Sequence, residues 1–127
     1  MPRLSVPRLG HALIDRQHRR IQQAAQAFTN AIRRTSGRRE LTALLRASER
    51  NFASEGRLMR LSRYAHGAGH RELHRSILGE MKQLRETLRR GQMPHDLLLR
   101  SAVDWLAHHA DEADRALVEH LAQSKKQ

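Results

Sequence analysis

Apolar residues return along this chain every three to four positions, in four separate stretches. From Leu13 onward, Ile14, His18, Ile21, Ala25, Phe28 and Ile32 share one stripe, with arginine and glutamine opposite. Thr35-Ser36-Gly37 ends that stretch. A second predicted helix runs from about Arg38 to Arg63 and turns Leu41, Leu44, Leu45, Phe52, Leu58 and Met59 inward. His66-Gly67-Ala68-Gly69 is the next predicted break. The third helix, ending near Gly91, places Leu73, Ile77, Leu78, Met81, Leu84 and Leu88 on one side. Pro94 suits the first turn of a fourth helix, which carries Leu98, Leu99, Ala102, Trp105, Leu106, Ala113 and Leu117. Nothing alternates with a period of two, so no strand is expected. Residues 1–11, with two prolines and a glycine, read as an irregular lead-in, and residues 123–127 as a frayed tail. Amphipathic helices joined by short breaks predict an all-α, up-down-up-down antiparallel four-helix bundle.

A length of 127 residues suits one domain with a real core, spanning residues 1–127. The absence of cysteine excludes a disulfide framework, a zinc ribbon and a thiolate nucleophile. No apolar run reaches membrane-spanning length and the first residues lack a signal peptide's apolar core, so a cytoplasmic protein is expected. A net charge of +11 permits contact with nucleic acid, acidic lipid or an acidic protein. The arginine doublets (Arg19-Arg20, Arg33-Arg34, Arg38-Arg39, Arg89-Arg90) are spread over several segments, as on a solvated face. With 3% aromatic residues there is little to stack on unpaired bases, so nucleic acid ranks below an acidic protein as a partner.

The chemistry lies in polar residues on faces that should be greasy. His70 and His74, four residues apart, stand about 40° apart around a helix and can grip one metal ion. Both fall on the apolar side of the third helix. His18 interrupts the first stripe, Asn51 and Glu55 form an i, i+4 pair within the second, and His109 lies between Trp105 and Ala113 on the fourth. A lone core histidine is usually a hydrogen-bonded packing residue. Asn51 alone reads equally as the cap of a polar network, and Glu55 as the partner of a snorkelling arginine. Taken together, the inward groups point to a shared metal, because a buried carboxylate is costly without a compensating cation. His11, His66, His95, His108 and His120 read as loop, outward or end-of-helix residues, although His66 approaches the site if the third helix starts early.

With these residues in hand, residues 9–121 resemble the hemerythrin family, specifically its single-domain bacterial members. Ile14-Asp-Arg-Gln-His18 is similar to the family's first-helix motif. Asn51-Phe-Ala-Ser-Glu55 followed by Leu58-Met59 is similar to the second-helix motif with its histidine changed. His70-xxx-His74 matches the third helix, and Trp105-Leu-Ala-His-His109 with Asp114 matches the fourth. The resemblance, rather than helix geometry, selects Asp114: five residues beyond His109 is about 140° of rotation, whereas His108 and Glu112 make the tidier, outward pair.

The resemblance implies two irons bridged by Glu55, Asp114 and an oxo or hydroxo group. His70, His74 and His109 would complete one iron, and His18 would hold the other, with Asn51 where the family has a histidine. Trp105 and Leu106 match positions lining a small oxygen pocket. An amide oxygen is a weaker ligand than imidazole for ferrous iron, so two irons, one iron or another metal all remain open. The implied function is a non-enzymatic iron protein that senses oxygen or nitric oxide, or handles oxygen or iron. Two alternatives stand beside it: a di-iron enzyme of peroxidase or ferroxidase type, and a basic interaction module whose metal site is reduced. Pairing into a homo-oligomer is compatible with such bundles.

Overall fold

The computed structural model describes residues 8–92, 104 and 108–125. Four helices carry the described fold, and no strand occurs among the described residues. They are α1 (Ala12–Ala31), α2 (Arg38–Leu61), α3 (Gly67–Arg89) and α4 (Arg115–Lys125), the last preceded by a π-helical turn at Ala110–Asp114. Pro94, His95, Leu98, Leu99, Ala102, Trp105 and Leu106 lie outside the described residues. No helix among those described is long and apolar enough to cross a membrane.

Local chemistry sets the helix ends. His11 caps α1: its Nδ1 accepts from the Ile14 N–H at 3.3 Å. The buried Asp15 carboxylate accepts the Leu9 and Gly10 N–H groups at 2.8 and 2.9 Å, which folds the lead-in onto the first turn. Gly37, ahead of α2, has φ of +71°, and a Cβ there would come within 3.1 Å of Ile32 Cδ1 and 3.2 Å of Phe28 Cε1. The turn between α1 and α2 therefore requires glycine. α2 stops at Leu61, two residues before the predicted end. Arg63 takes the left-handed conformation with φ of 55°, and the Tyr64 N–H returns to the Met59 carbonyl at 2.9 Å, closing a Schellman motif.

α3 begins earlier than predicted. Gly67, Ala68 and Gly69 form its first turn rather than a break, with His66 at the N-cap and the His70 N–H bonded to the His66 carbonyl at 3.0 Å. The first N–H groups of a helix have no intrahelical partners to lose, so glycine is tolerated there. Leu73 is 39% exposed despite its predicted place on the inner face. On the wheel it sits about 60° from His70, at the margin of the stripe that Ile77, Met81, Leu84 and Leu88 centre. α4 continues to Lys125, well into the expected tail.

Two apolar clusters result. The larger joins Ile21, Ala25, Phe28, Leu41, Leu44 and Met81, among others, from α1, α2 and α3. The smaller joins Ile14 and Met59 to Leu117, Val118 and Leu121 of α4. His18 on α1 and Glu55 on α2 fall between the positions that feed one cluster and those that feed the other, so a polar layer separates the two.

Candidate metal centre

Helices α1, α2 and α3 and the π-helical turn each bring side chains to that layer. His18 comes from α1, Asn51 and Glu55 from α2, and His70 and His74 from α3, all buried. His109 and Asp114, also buried, bracket the π-helical turn. A π turn closes its hydrogen bonds one residue later than an α turn, so its fifth residue returns to where an α-helix brings the fourth. This is why Asp114 faces inward beside His109. The α-spaced pair His108 and Glu112 points outward, exposed, with Nε2 and Oε2 3.2 Å apart.

Glu55 and Asp114 stand at the middle, and each divides its two oxygens between two sides. Glu55 Oε1 lies 3.0 Å from His70 Nε2, 3.1 Å from His74 Nε2 and 4.0 Å from His109 Nε2. Its Oε2 lies 3.6 Å from His18 Nε2. Asp114 repeats the division: Oδ1 is 2.9 Å from both His70 and His109 Nε2, and Oδ2 is 2.8 Å from His18 Nε2. The two carboxylates thus link a three-histidine side to a one-histidine side.

The rings of His70, His74 and His109 stand nearly perpendicular to one another. Their interplanar angles are 85°, 72° and 68°, at centroid separations of 4.6, 4.8 and 4.8 Å. All three turn Nε2 toward Glu55 Oε1. Phe52 holds two of the rings, stacked on His74 at 3.9 Å and edge-on to His109 at 5.8 Å.

The donor atoms also fit a cation by what they leave unpaired. Glu55 Oε2, Asp114 Oδ1, His109 Nε2 and Asn51 Oδ1 are buried without a hydrogen-bond partner. His109 Nε2 and Asp114 Oδ1 are 2.9 Å apart yet not aligned for a hydrogen bond. Buried polar atoms are nearly always paired, so the unpaired atoms of Glu55, Asp114 and His109 fit a shared cation. Ligand atoms of Glu55, His70, His74, His109 and Asp114 all lie within 4.8 Å of one another. This buried group of glutamate, histidine and aspartate can bind a metal ion.

Without a metal, protons and mutual charge do the compensating. Burial disfavours the charged form of His18 and of His70, but contact with Asp114 and Glu55 outweighs it and raises each to about 9. His74 is lowered instead, by burial and by the neighbouring His109 and His70 working against the pull of Glu55. Burial and Asp114 push the Glu55 carboxyl up, but His18, His70 and His74 prevail and hold it below the usual range. Asp114 is also lowered: burial opposes this, and His109, His18 and His70 around it overcome the opposition.

All seven residues expected as ligands are buried, and six of them meet at the two carboxylates. Asn51 is placed differently: its Nδ2 donates to Gln17 Oε1 at 3.0 Å, and Gln17 Nε2 donates to Ser54 Oγ at 2.9 Å. Spacing alone did not single out Gln17 or Ser54; Gln17 flanks the α1 stripe and betrays itself only as a buried polar neighbour of His18. His66 remains exposed at the α3 cap despite the early helix start, and His120 Nε2 donates to the Ser62 carbonyl at 3.0 Å. Trp105 and Leu106, the expected oxygen-pocket residues, lie outside the described residues. Comparison with protein-family profiles, curated proteins and solved structures gave no match.

Proposed function

We propose that this chain is a hemerythrin-like non-haem iron protein, an up-down-up-down bundle whose centre serves oxygen or nitric oxide sensing, or oxygen or iron handling. The observation that carries this reading is the division of oxygens at Glu55 and Asp114: Glu55 turns one oxygen to His70, His74 and His109, Asp114 turns one to His70 and His109, and each turns its other oxygen to His18. Two bridging carboxylates with unequal histidine complements on either side are what the resemblance predicts for a dinuclear centre. When bound, iron would supply a redox-active ion able to take a small diatomic ligand.

The residues around it do the rest. Glu55 and Asp114 would neutralise the metal charge and set the spacing between two ions. Phe52 excludes water from His74 and fixes its ring. The Gln17–Ser54 relay fixes the amide of Asn51.

Packing alone does not account for the cluster. Each buried ion carries an effective desolvation penalty of several kcal/mol, and well-packed apolar replacements of a buried ion pair are often more stable by about 1–4 kcal/mol. A layer of two carboxylates and four imidazoles is therefore retained at a cost in stability, which favours a binding role.

Elemental analysis of protein reconstituted anaerobically with ferrous ion tests the reading. Up to two irons per chain are expected, with loss of both in Glu55→Ala, because that carboxylate reaches both sides. A folded wild-type protein that takes up no iron would sink it.

A further inference from the structure

Building on the reading of a two-sided metal centre, we propose that its halves select different ions. A ferrous ion takes the His70–His74–His109 side, and manganese(II) takes the side of His18, Asn51 and the two carboxylates. The donor sets differ in kind. One side offers three imidazoles with Glu55 Oε1 and Asp114 Oδ1; the other offers a single imidazole with Glu55 Oε2 and Asp114 Oδ2, to which the proposal adds the amide oxygen of Asn51. Imidazole suits iron, whereas carboxylate and carbonyl oxygens suit manganese.

Asn51 tips the second side further toward oxygen. It is 1% exposed, its Nδ2 is held by Gln17, and its Oδ1 is left buried and unpaired one helical turn from Glu55. Gln17 is anchored in turn by Ser54 and directly precedes His18, so the residue that orients the amide and the imidazole of that side move as one unit of α1. An amide nitrogen turned to a cation would repel it; the relay engages the nitrogen and leaves the acceptor oxygen unpaired. Gln17 and Ser54 are thus positioning residues for an oxygen ligand. Ferrous ion outcompetes manganese at any one site, so selection works by competition. Iron is drawn first to the imidazole side, and manganese is least disadvantaged where oxygens dominate.

The test loads the full chain anaerobically with two equivalents of ferrous ion and an excess of manganese(II), removes free metal, and counts both elements per chain. One iron and one manganese are expected. Asn51→Asp keeps the oxygen donor and should retain the manganese. Asn51→Leu should lose it while keeping the iron, and Asn51→His should exchange the manganese for a second iron under the same competitive loading. Gln17→Leu leaves every ligand in place and should weaken manganese binding by about tenfold or more, with circular dichroism verifying the fold. Two irons, two manganese ions or one iron alone in the wild type would overturn the selection and leave the metal reading standing. A folded protein that retains no metal overturns both.

Discussion

His18 and His70, each raised to about 9, hold protons at neutral pH that an incoming metal ion must displace. Metal affinity should therefore climb as pH rises from 6.5 toward 9 and then level off, with protons released on loading. Calorimetric titration in two buffers of different ionisation enthalpy measures both, and a pH-independent affinity would contradict the assignment. The same shifts bear on folding of the metal-free chain. Both imidazoles are raised in the folded state, so the stability they contribute is complete below 6.5 and lost as pH passes through 9. Glu55 and Asp114 are lowered, so their contribution is present above their ordinary values of 4.5 and 3.8 and is lost on acidification. Urea midpoints of metal-free protein should fall on both limbs, and loading should abolish the alkaline decline. Most of these residues were legible in the sequence because each is a polar residue on an apolar helical stripe. Gln17 and Ser54 were not, since their meaning arises only from contact across two helices.

The π turn at Ala110–Asp114 marks where helix-period reasoning reached its limit. A wheel built on 3.6 residues per turn moves Asp114 to the margin, and a resemblance rather than geometry had to select it. The turn behaves as an α turn with one residue too many. Deleting Ala113 should convert it to plain α-helix while leaving His109, Asp114 and α4 in register. The expected result is metal retention and a higher melting temperature. Were the turn α-helical in solution, the deletion would instead rotate Leu117, Val118 and Leu121 by about 100° out of the core, and stability would drop by several kcal/mol. The helices themselves were readable from periodicity, but their ends were not. α2 stops early through a left-handed arginine, and α3 starts early through glycines that read as a break.

Across the whole molecule, the surface charge and the centre have separate logics. Exposed pairs such as Arg75 with Glu72 and Arg89 with Glu86 contribute little, about 0–1 kcal/mol each, and leave the basic surface as a matter of solubility and encounter. The interior is divided: the larger apolar cluster draws on α1, α2 and α3, whereas α4 is held by Leu117, Val118 and Leu121 against Ile14 and Met59. The polar layer joins what the apolar clusters do not. His18 and Asp114 are 96 positions apart in a chain without cysteine, and a shared ion would clasp them as a cross-link does, removing loop-closure freedom from the open chain. Amide hydrogen exchange should therefore slow in residues 115–125 on loading far more than in residues 41–45; uniform slowing would mean the ion adds only global stability. Gain or loss of a metal ion would then be converted into docking or release of the last helix, and the occupancy of a site sealed from solvent would become legible on the outside of the molecule.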